Sequence, residues 1–203
     1  MPSPCRVIAL SGPSGTGKTT LTELLHSSLA AEGLRVAVVH QDTFFHGPKP
    51  ASYWTQEPKE SPDTVDMAAV RAAVSAAVAD AANDVILVEG FLLLQDSPLM
   101  AFVHAVLFLS SDRSTCLARR LSRSVRSEHE SEGLRLYYDK HVWPGYLAHT
   151  EPALAALREA AATDVLGTPH LREIDGTRSL EVCLLYTSPS PRDRTRSRMP
   201  SSA

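Results

Sequence analysis

Val7-Ile8-Ala9-Leu10-Ser11-Gly12-Pro13-Ser14-Gly15-Thr16-Gly17-Lys18-Thr19-Thr20 decides the fold. An apolar run passes directly into Gly-x-x-x-x-Gly-Lys-Thr, and that into a segment with Leu21, Leu24, Leu25 and Leu29 at helical spacing. Strand, glycine loop and helix in this order make a phosphate-binding loop. Glycines let the backbone curl until several N–H groups point inward as a nest for phosphate oxygens. The positive end of the following helix faces the same anion. Lys18 is placed to bridge the outer phosphates and the Thr19 hydroxyl to hold Mg²⁺. The motif predicts binding of a nucleoside triphosphate.

Working outward, Arg35–Gln41, Val85–Val88 and Ala105–Leu109 are further apolar strands. Thr163–Leu166 and Arg172–Ile174 are weaker candidates. Helices are expected over Thr19–Glu32, Thr64–Asn83 and Asp112 to about Arg126, the last capped by Ser110, Ser111 or Asp112. A charged stretch, Ser127–Gly133, follows. Residues 136–162 read as helical with a break near Pro144 or Pro152. The segment 46–62, with four prolines, reads as a loop. Nearly all-apolar strands alternating with helices predict an α/β fold: a parallel sheet covered by helices on both faces, with a small helical lid. Ligands of such sheets sit beyond the carboxyl ends of the strands, where the glycine loop, Asp42 and Glu89 all fall.

At 203 residues the chain suits one domain with a tail. A net charge of −3 argues against nucleic acid as the partner. No apolar run approaches the roughly 20 residues of a membrane span, and no signal peptide is expected at Met1-Pro-Ser-Pro-Cys-Arg6. Cys5, Cys116 and Cys183 are widely spaced with no metal-binding pattern, so reduced thiols and a cytoplasmic location are expected. The end of the chain is low in complexity, with Arg192, Arg194, Arg196 and Arg198 against Asp193. Such composition does not build a core. The domain is therefore read as residues 1–182, and 183–203 as a disordered tail. That tail is either a basic interaction segment or, the preferred reading, non-native, since it resembles translated adapter sequence.

Two acids carry the chemistry. Asp42, at the end of a buried strand beside the glycine loop, can accept a proton from an attacking hydroxyl or hold a metal-bound water. Glu89, ending the third strand, can reach the Mg²⁺ shell. Arg119, Arg120, Arg123 and Arg126 lie on one helix and its exit, a pattern suited to a lid that neutralises a transferring phosphoryl group or to a solvated face paired with nearby glutamates. The chain has no Asn-Lys-x-Asp or Thr-Lys-x-Asp guanine-reading motif. A small-molecule kinase fits better than a GTPase switch.

Taken together, Ser11–Leu21, Gln41-Asp-x-Phe-Phe45, Val88-Glu-Gly-Phe-Leu-Leu93, His141-Val-Trp-Pro-x-Tyr146 and Ile174-Asp-Gly-Thr177 resemble the nicotinamide riboside kinases, within the uridine kinase-like phosphate-loop kinases. The resemblance covers about residues 5–182. It implies ATP-dependent, Mg²⁺-dependent phosphorylation of the 5′-hydroxyl of nicotinamide riboside, and possible use of nicotinic acid riboside, for NAD biosynthesis. It places Asp42 as proton acceptor and Thr19 and Glu89 as Mg²⁺ ligands. The ATP phosphates fall to Gly12, Ser14, Gly15, Thr16, Gly17, Lys18, Thr19 and Thr20, with Arg119 and Asp175-Gly176-Thr177 on the rest of the nucleotide. Arg123 falls near the substrate ribose, and Tyr137 or Tyr138 on the substrate base. The family usually carries an aromatic-Asp pair ahead of the second helix, the Asp holding the ribose diol. Here the pair is Lys59-Glu60, which gives Glu60 one methylene more of reach, and Trp54 is the substitute aromatic. A uridine or cytidine kinase, a kinase of another small metabolite and a non-catalytic nucleotide-binding protein are the competing readings.

Overall fold

The computed structural model describes residues 5–47, 60–163 and 165–178. The expected loop residues 48–59, including Trp54 and Lys59, and the boundary after Val182 with the 183–203 tail lie outside the described residues. Five strands form one parallel sheet: β1 Arg6–Ser11, β2 Val36–His40, β3 Val85–Glu89, β4 Ala105–Ser110 and β5 His170–Asp175, in the spatial order β2-β3-β1-β4-β5. The register sets Leu10 and His40 on either side of Glu89, and Ser110 beside Asp175. The residues that carry chemistry thus line up along one edge.

Strand side chains alternate between two cores because successive residues point to opposite faces. Val7, Ala9, Ile86, Val88, Val106 and Phe108 pack with Val70 and Val74 of α2 (Met67–Ala79) and Leu154 of α7 (Glu151–Ala162). Leu10, Leu87, Leu107 and Leu109 pack with Leu21 and Leu25 of α1 (Lys18–Ala31). Burying a side chain of this size contributes roughly 1.5–3 kcal/mol, which explains why β3 is buried at every position.

The remaining helices are α3 (Ser97–Met100), α4 (Arg113–Ser122), α5 (Glu128–Tyr137) and the single turn α6 (Trp143–Gly145). Among the three candidate caps of α4, Asp112 does the capping: its carboxylate accepts from Thr115 N–H at 2.8 Å. Hydrogen bonds from the Ser114 and Thr115 side chains hold its carboxyl far below the usual range.

Three sequence expectations are corrected. Most of the charged stretch 127–133 is the start of a helix, because Ser127 and Glu130 form a reciprocal capping box. The run from Glu128 to Ala162 does not break at Pro144 or Pro152. Each proline is preceded by a widened π turn, Tyr138–Val142 or Tyr146–Thr150, in which Trp143 N–H reaches back to Tyr138 O and Glu151 N–H to Tyr146 O. The extra residue per turn accommodates a ring that would otherwise clash with the carbonyl four residues back. Finally, residues 163–166 contain no strand among those described. Val165 N–H bonds back to Ala160 O, Thr168 N–H to Val165 O, and Gly167 turns at φ +85°, so the helix winds down and reverses toward β5.

Candidate active site

The glycine loop joins β1 to α1 in the space the sheet leaves open. Gly12 and Gly15 both have positive φ, and a Cβ on either would meet a backbone carbonyl, that of Leu109 at 2.2 Å or Cys116 at 2.4 Å. Only glycine fits such positions. Lys18 is buried, and its Nζ donates to Gly12 O at 2.9 Å and Pro13 O at 3.2 Å. The loop's own carbonyls therefore satisfy the ammonium. Burial lowers the Lys18 pKa, opposed by the charges of Glu89 and Asp42. A bound polyphosphate would add negative charge that offsets the hydration lost on burial. Thr16 Oγ1 donates to Pro13 O and stiffens the loop. Ser14 is half-buried, and Thr20 is exposed on the first turn of α1.

Thr19 and Glu89 come together. Thr19 Oγ1 donates to Glu89 Oε1 at 3.1 Å, and the other carboxylate oxygen lies 2.9 Å from His40 Nδ1. A hydroxyl and a nearly buried carboxylate beside a phosphate loop are hard oxygen donors of the kind Mg²⁺ takes, with waters and phosphate oxygens completing the shell. The residues fit the ion.

Asp42 is exposed on the 3₁₀ turn Gln41–Phe44, directly beyond β2. Its neighbour Gln41 is fully buried and anchors the turn: Gln41 Oε1 accepts from Leu92 N–H at 3.0 Å. A Cβ on Gly90 would lie 2.1 Å from that same oxygen. Beyond Asp42, a short antiparallel contact ties this turn to the segment that follows Glu60. Phe45 bridges Val65, His46 N–H bonds to Thr64 O at 2.9 Å and Asp66 N–H to Phe44 O at 2.8 Å.

Glu60, half-buried just ahead of this ladder, lies within reach of the charges of Asp42 and Lys18. Burial pushes its carboxyl above the ordinary range, opposed by the charge of Arg120 and the Tyr137 hydroxyl, which donates to Glu60 Oε1 at 3.4 Å. Asp42 and Lys18 act on it as well. The two candidate tyrosines separate. The Tyr137 ring lies 5.3 Å from that of His141, and its hydroxyl faces Glu60. Tyr138 is fully buried, packs on Trp143 at 6.3 Å, and sends its hydroxyl to Ser14 O.

The arginines also divide. Arg119 donates to Thr16 O at 3.0 Å and Gly176 O at 2.7 Å, joining the glycine loop to the Asp175-Gly-Thr loop. That second loop is held by Asp175 Oδ1, which accepts from Thr177 N–H and Oγ1. Arg120 donates to Ser14 Oγ at 2.6 Å and lies 5.8 Å over the Tyr138 ring. Arg123, exposed at the end of α4, is close enough for its charge to act on Lys18. Arg126 turns away from the lid role and caps α4 by donating to the carbonyls of Arg120, Leu121 and Ser124.

Sequence reasoning missed His40 and Gln41 and gave Arg120 no contact of its own. His40 could have been found from its place at the end of the strand beside Glu89. Gln41, a polar residue closing an apolar strand, carried no signal of its anchoring contact with Leu92.

A glycine loop after the first strand, a lysine among its carbonyls and acids at the neighbouring strand ends define a phosphate-loop phosphotransferase. The AAA domain family matches residues 8–136. Nicotinamide riboside kinase 2 of Mus musculus is 31% identical over 158 residues, 69% of this chain and 77% of that protein. Nicotinamide riboside kinase 1 of Homo sapiens is 29% identical over 163 residues, 71% and 76%. A uridine kinase of Aeromonas salmonicida is 26% identical over 179 residues, 73% and 82%. The chain belongs to the nicotinamide riboside kinase and uridine kinase-like family of phosphate-loop kinases.

Proposed function

We propose that the chain phosphorylates the 5′-hydroxyl of nicotinamide riboside at the expense of ATP, yielding the mononucleotide used in NAD synthesis. The observation that carries this reading is the grouping of Lys18 on the glycine loop, Arg120 on Ser14 Oγ, Asp42 at the strand end and the half-buried Glu60 under the Tyr137 hydroxyl, with the charges of Lys18, Asp42 and Arg120 all acting on Glu60. That grouping sets phosphate-binding groups opposite a carboxylate suited to a ribose diol. Similarity to nicotinamide riboside kinases supports the choice of base.

In this reading the glycine-loop N–H groups and Lys18 hold the β- and γ-phosphates. Thr19 and Glu89 would hold Mg²⁺, which neutralises charge on the phosphates. Glu60 accepts hydrogen bonds from the ribose hydroxyls and orients the nucleoside. Asp42 accepts the proton of the 5′-hydroxyl as its oxygen bonds to the γ-phosphorus. The bond to the β-phosphate oxygen breaks and ADP leaves. Lys18 and Arg120 stabilise the charge that develops, and closure of the helical lid excludes water. The test is ADP release with Mg²⁺-ATP and nicotinamide riboside, nicotinic acid riboside, uridine, cytidine or no acceptor. Release confined to the pyridine ribosides supports the proposal. Preference for a pyrimidine nucleoside moves the protein to the uridine kinase reading, and no release above the acceptor-free rate overturns nucleoside phosphorylation.

A further inference from the structure

Gly145 occupies an unexpected place for glycine. Its backbone, at φ −61° and ψ −42°, is ordinary right-handed helix that any residue adopts. Glycine inside a helix is weaker than alanine, since it loses more backbone freedom on folding. The reason for it lies across the gap. A Cβ at position 145 would lie 2.7 Å from Glu60 Cβ and 2.9 Å from Glu60 O. Those atoms belong to the root of the side chain and the main chain, so they cannot swing aside as a flexible tip would. The Glu60 segment is also held from its far side by the ladder between residues 44–46 and 64–66. A methyl group at 145 must therefore move Glu60 relative to Asp42 or push outward the helical run Glu128–Ala162, which serves as the lid in this reading.

We propose that Gly145 is a specificity-determining position: by withholding a side chain where the lid meets Glu60, it sets how deeply the Glu60 carboxylate stands in the acceptor cavity. This rests on the reading of Glu60 as the acceptor-binding carboxylate. Gly145 is a positioning residue, acting through Glu60 and touching no reacting atom. A longer carboxylate at position 60 and a missing side chain at 145 then form one unit. The glutamate adds reach, and the glycine lets its main chain sit back against the lid.

The test is Gly145→Ala in the full chain, with separate KM values for nucleoside and for ATP and a melting curve. We expect the nucleoside KM to rise about tenfold or more, since displacements of this size are costly to a positioned group. The ATP KM should stay within about twofold, and the melting temperature should fall modestly, because relieving the contact with Glu60 costs more than alanine gains as a helix former. In a Glu60→Ala background the same substitution should have little further effect on the nucleoside KM, because the carboxylate it displaces is gone. An unchanged nucleoside KM, an equal rise in both KM values, or the same factor in the Glu60→Ala background would overturn the inference. Should G145A not fold, Glu60→Asp withdraws the carboxylate by one methylene without touching the lid. A raised nucleoside KM supports depth control there, and an unchanged one removes it. Wild-type protein inactive on every nucleoside sinks the functional reading and this inference together, whereas an active wild type with an indifferent G145A sinks this inference alone.

Discussion

At the scale of single residues, the two carboxylates that the proposed mechanism sets at the acceptor have different environments and so different expected behaviour. Asp42 is exposed at a strand end, and Glu60 is half-buried with its carboxyl desolvated. Asp42→Asn keeps the shape and removes the proton acceptor. Turnover should fall by about 10²–10⁴ with ATP affinity retained; wild-type turnover would remove Asp42 from the chemistry. Glu60 binds its proton more tightly in the folded chain than in the unfolded one, so ionising it costs stability. That cost is absent below the unfolded carboxylate pKa and present in full above the raised folded one. Glu60→Gln should therefore melt higher than wild type at neutral pH, with the advantage shrinking as pH falls through the raised value. The nucleoside KM of the wild type should rise over the same fall in pH, and that of E60Q should stay flat. Parallel pH profiles for the two proteins would show that Glu60 does not titrate in the site. Asp42 does follow the second strand, as its place in the sequence implies. What the sequence could not display was its coupling to Glu60 through the ladder at Phe45 and Val65, because a two-residue bridge across a proline-rich loop leaves no periodic signature.

At the scale of elements, the structure follows the sequence closely where periodicity is strong and departs where local chemistry outweighs it. Strands β1 to β4 are apolar runs and fall within a residue or two of expectation. The strand expected at 163–166 rests on short apolar content alone, and the turn at Gly167 takes its place. Pro144 and Pro152 predict breaks, but π turns absorb them without ending the helix. Such turns depend on which backbone N–H groups find partners, information that hydrophobic spacing does not hold. The turn carrying Asp42 is also fixed at this scale, by Gln41 bonding to Leu92 N–H against Gly90. Gln41→Ala leaves that buried N–H without its partner, at about 1–3 kcal/mol. Because the loss falls where the turn is anchored, kcat should drop alongside the melting temperature. A variant that is destabilised but turns over normally would show that the turn is held by other contacts.

At the scale of the whole molecule, the proposed nucleotide half of the site draws on segments far apart in sequence: the glycine loop, α4 and the loop after β5. Arg119 joins all three through hydrogen bonds to Thr16 O and Gly176 O. A guanidinium in this position fixes the spacing between the phosphate nest and the Asp175-Gly-Thr loop before any ligand arrives, so binding need not supply that order. Saturating ATP, at about 100 times its Kd, should stabilise the chain by about 2.7 kcal/mol, or roughly 5–10 °C in Tm for a domain of this size. Arg119→Ala should weaken ATP by about tenfold, since each lost bond to a charged donor is worth about 1.5–3 kcal/mol and water recovers part of it. The same variant should leave the nucleoside KM nearly unchanged, because Arg119 donates to Thr16 O and Gly176 O and is not among the groups that act on Glu60. Calorimetric titration with ATP and a nucleoside KM on the same protein read both effects. Unaltered ATP affinity would mean that the two loops hold their spacing without Arg119, and a matched loss for both substrates would mean that α4 itself had shifted.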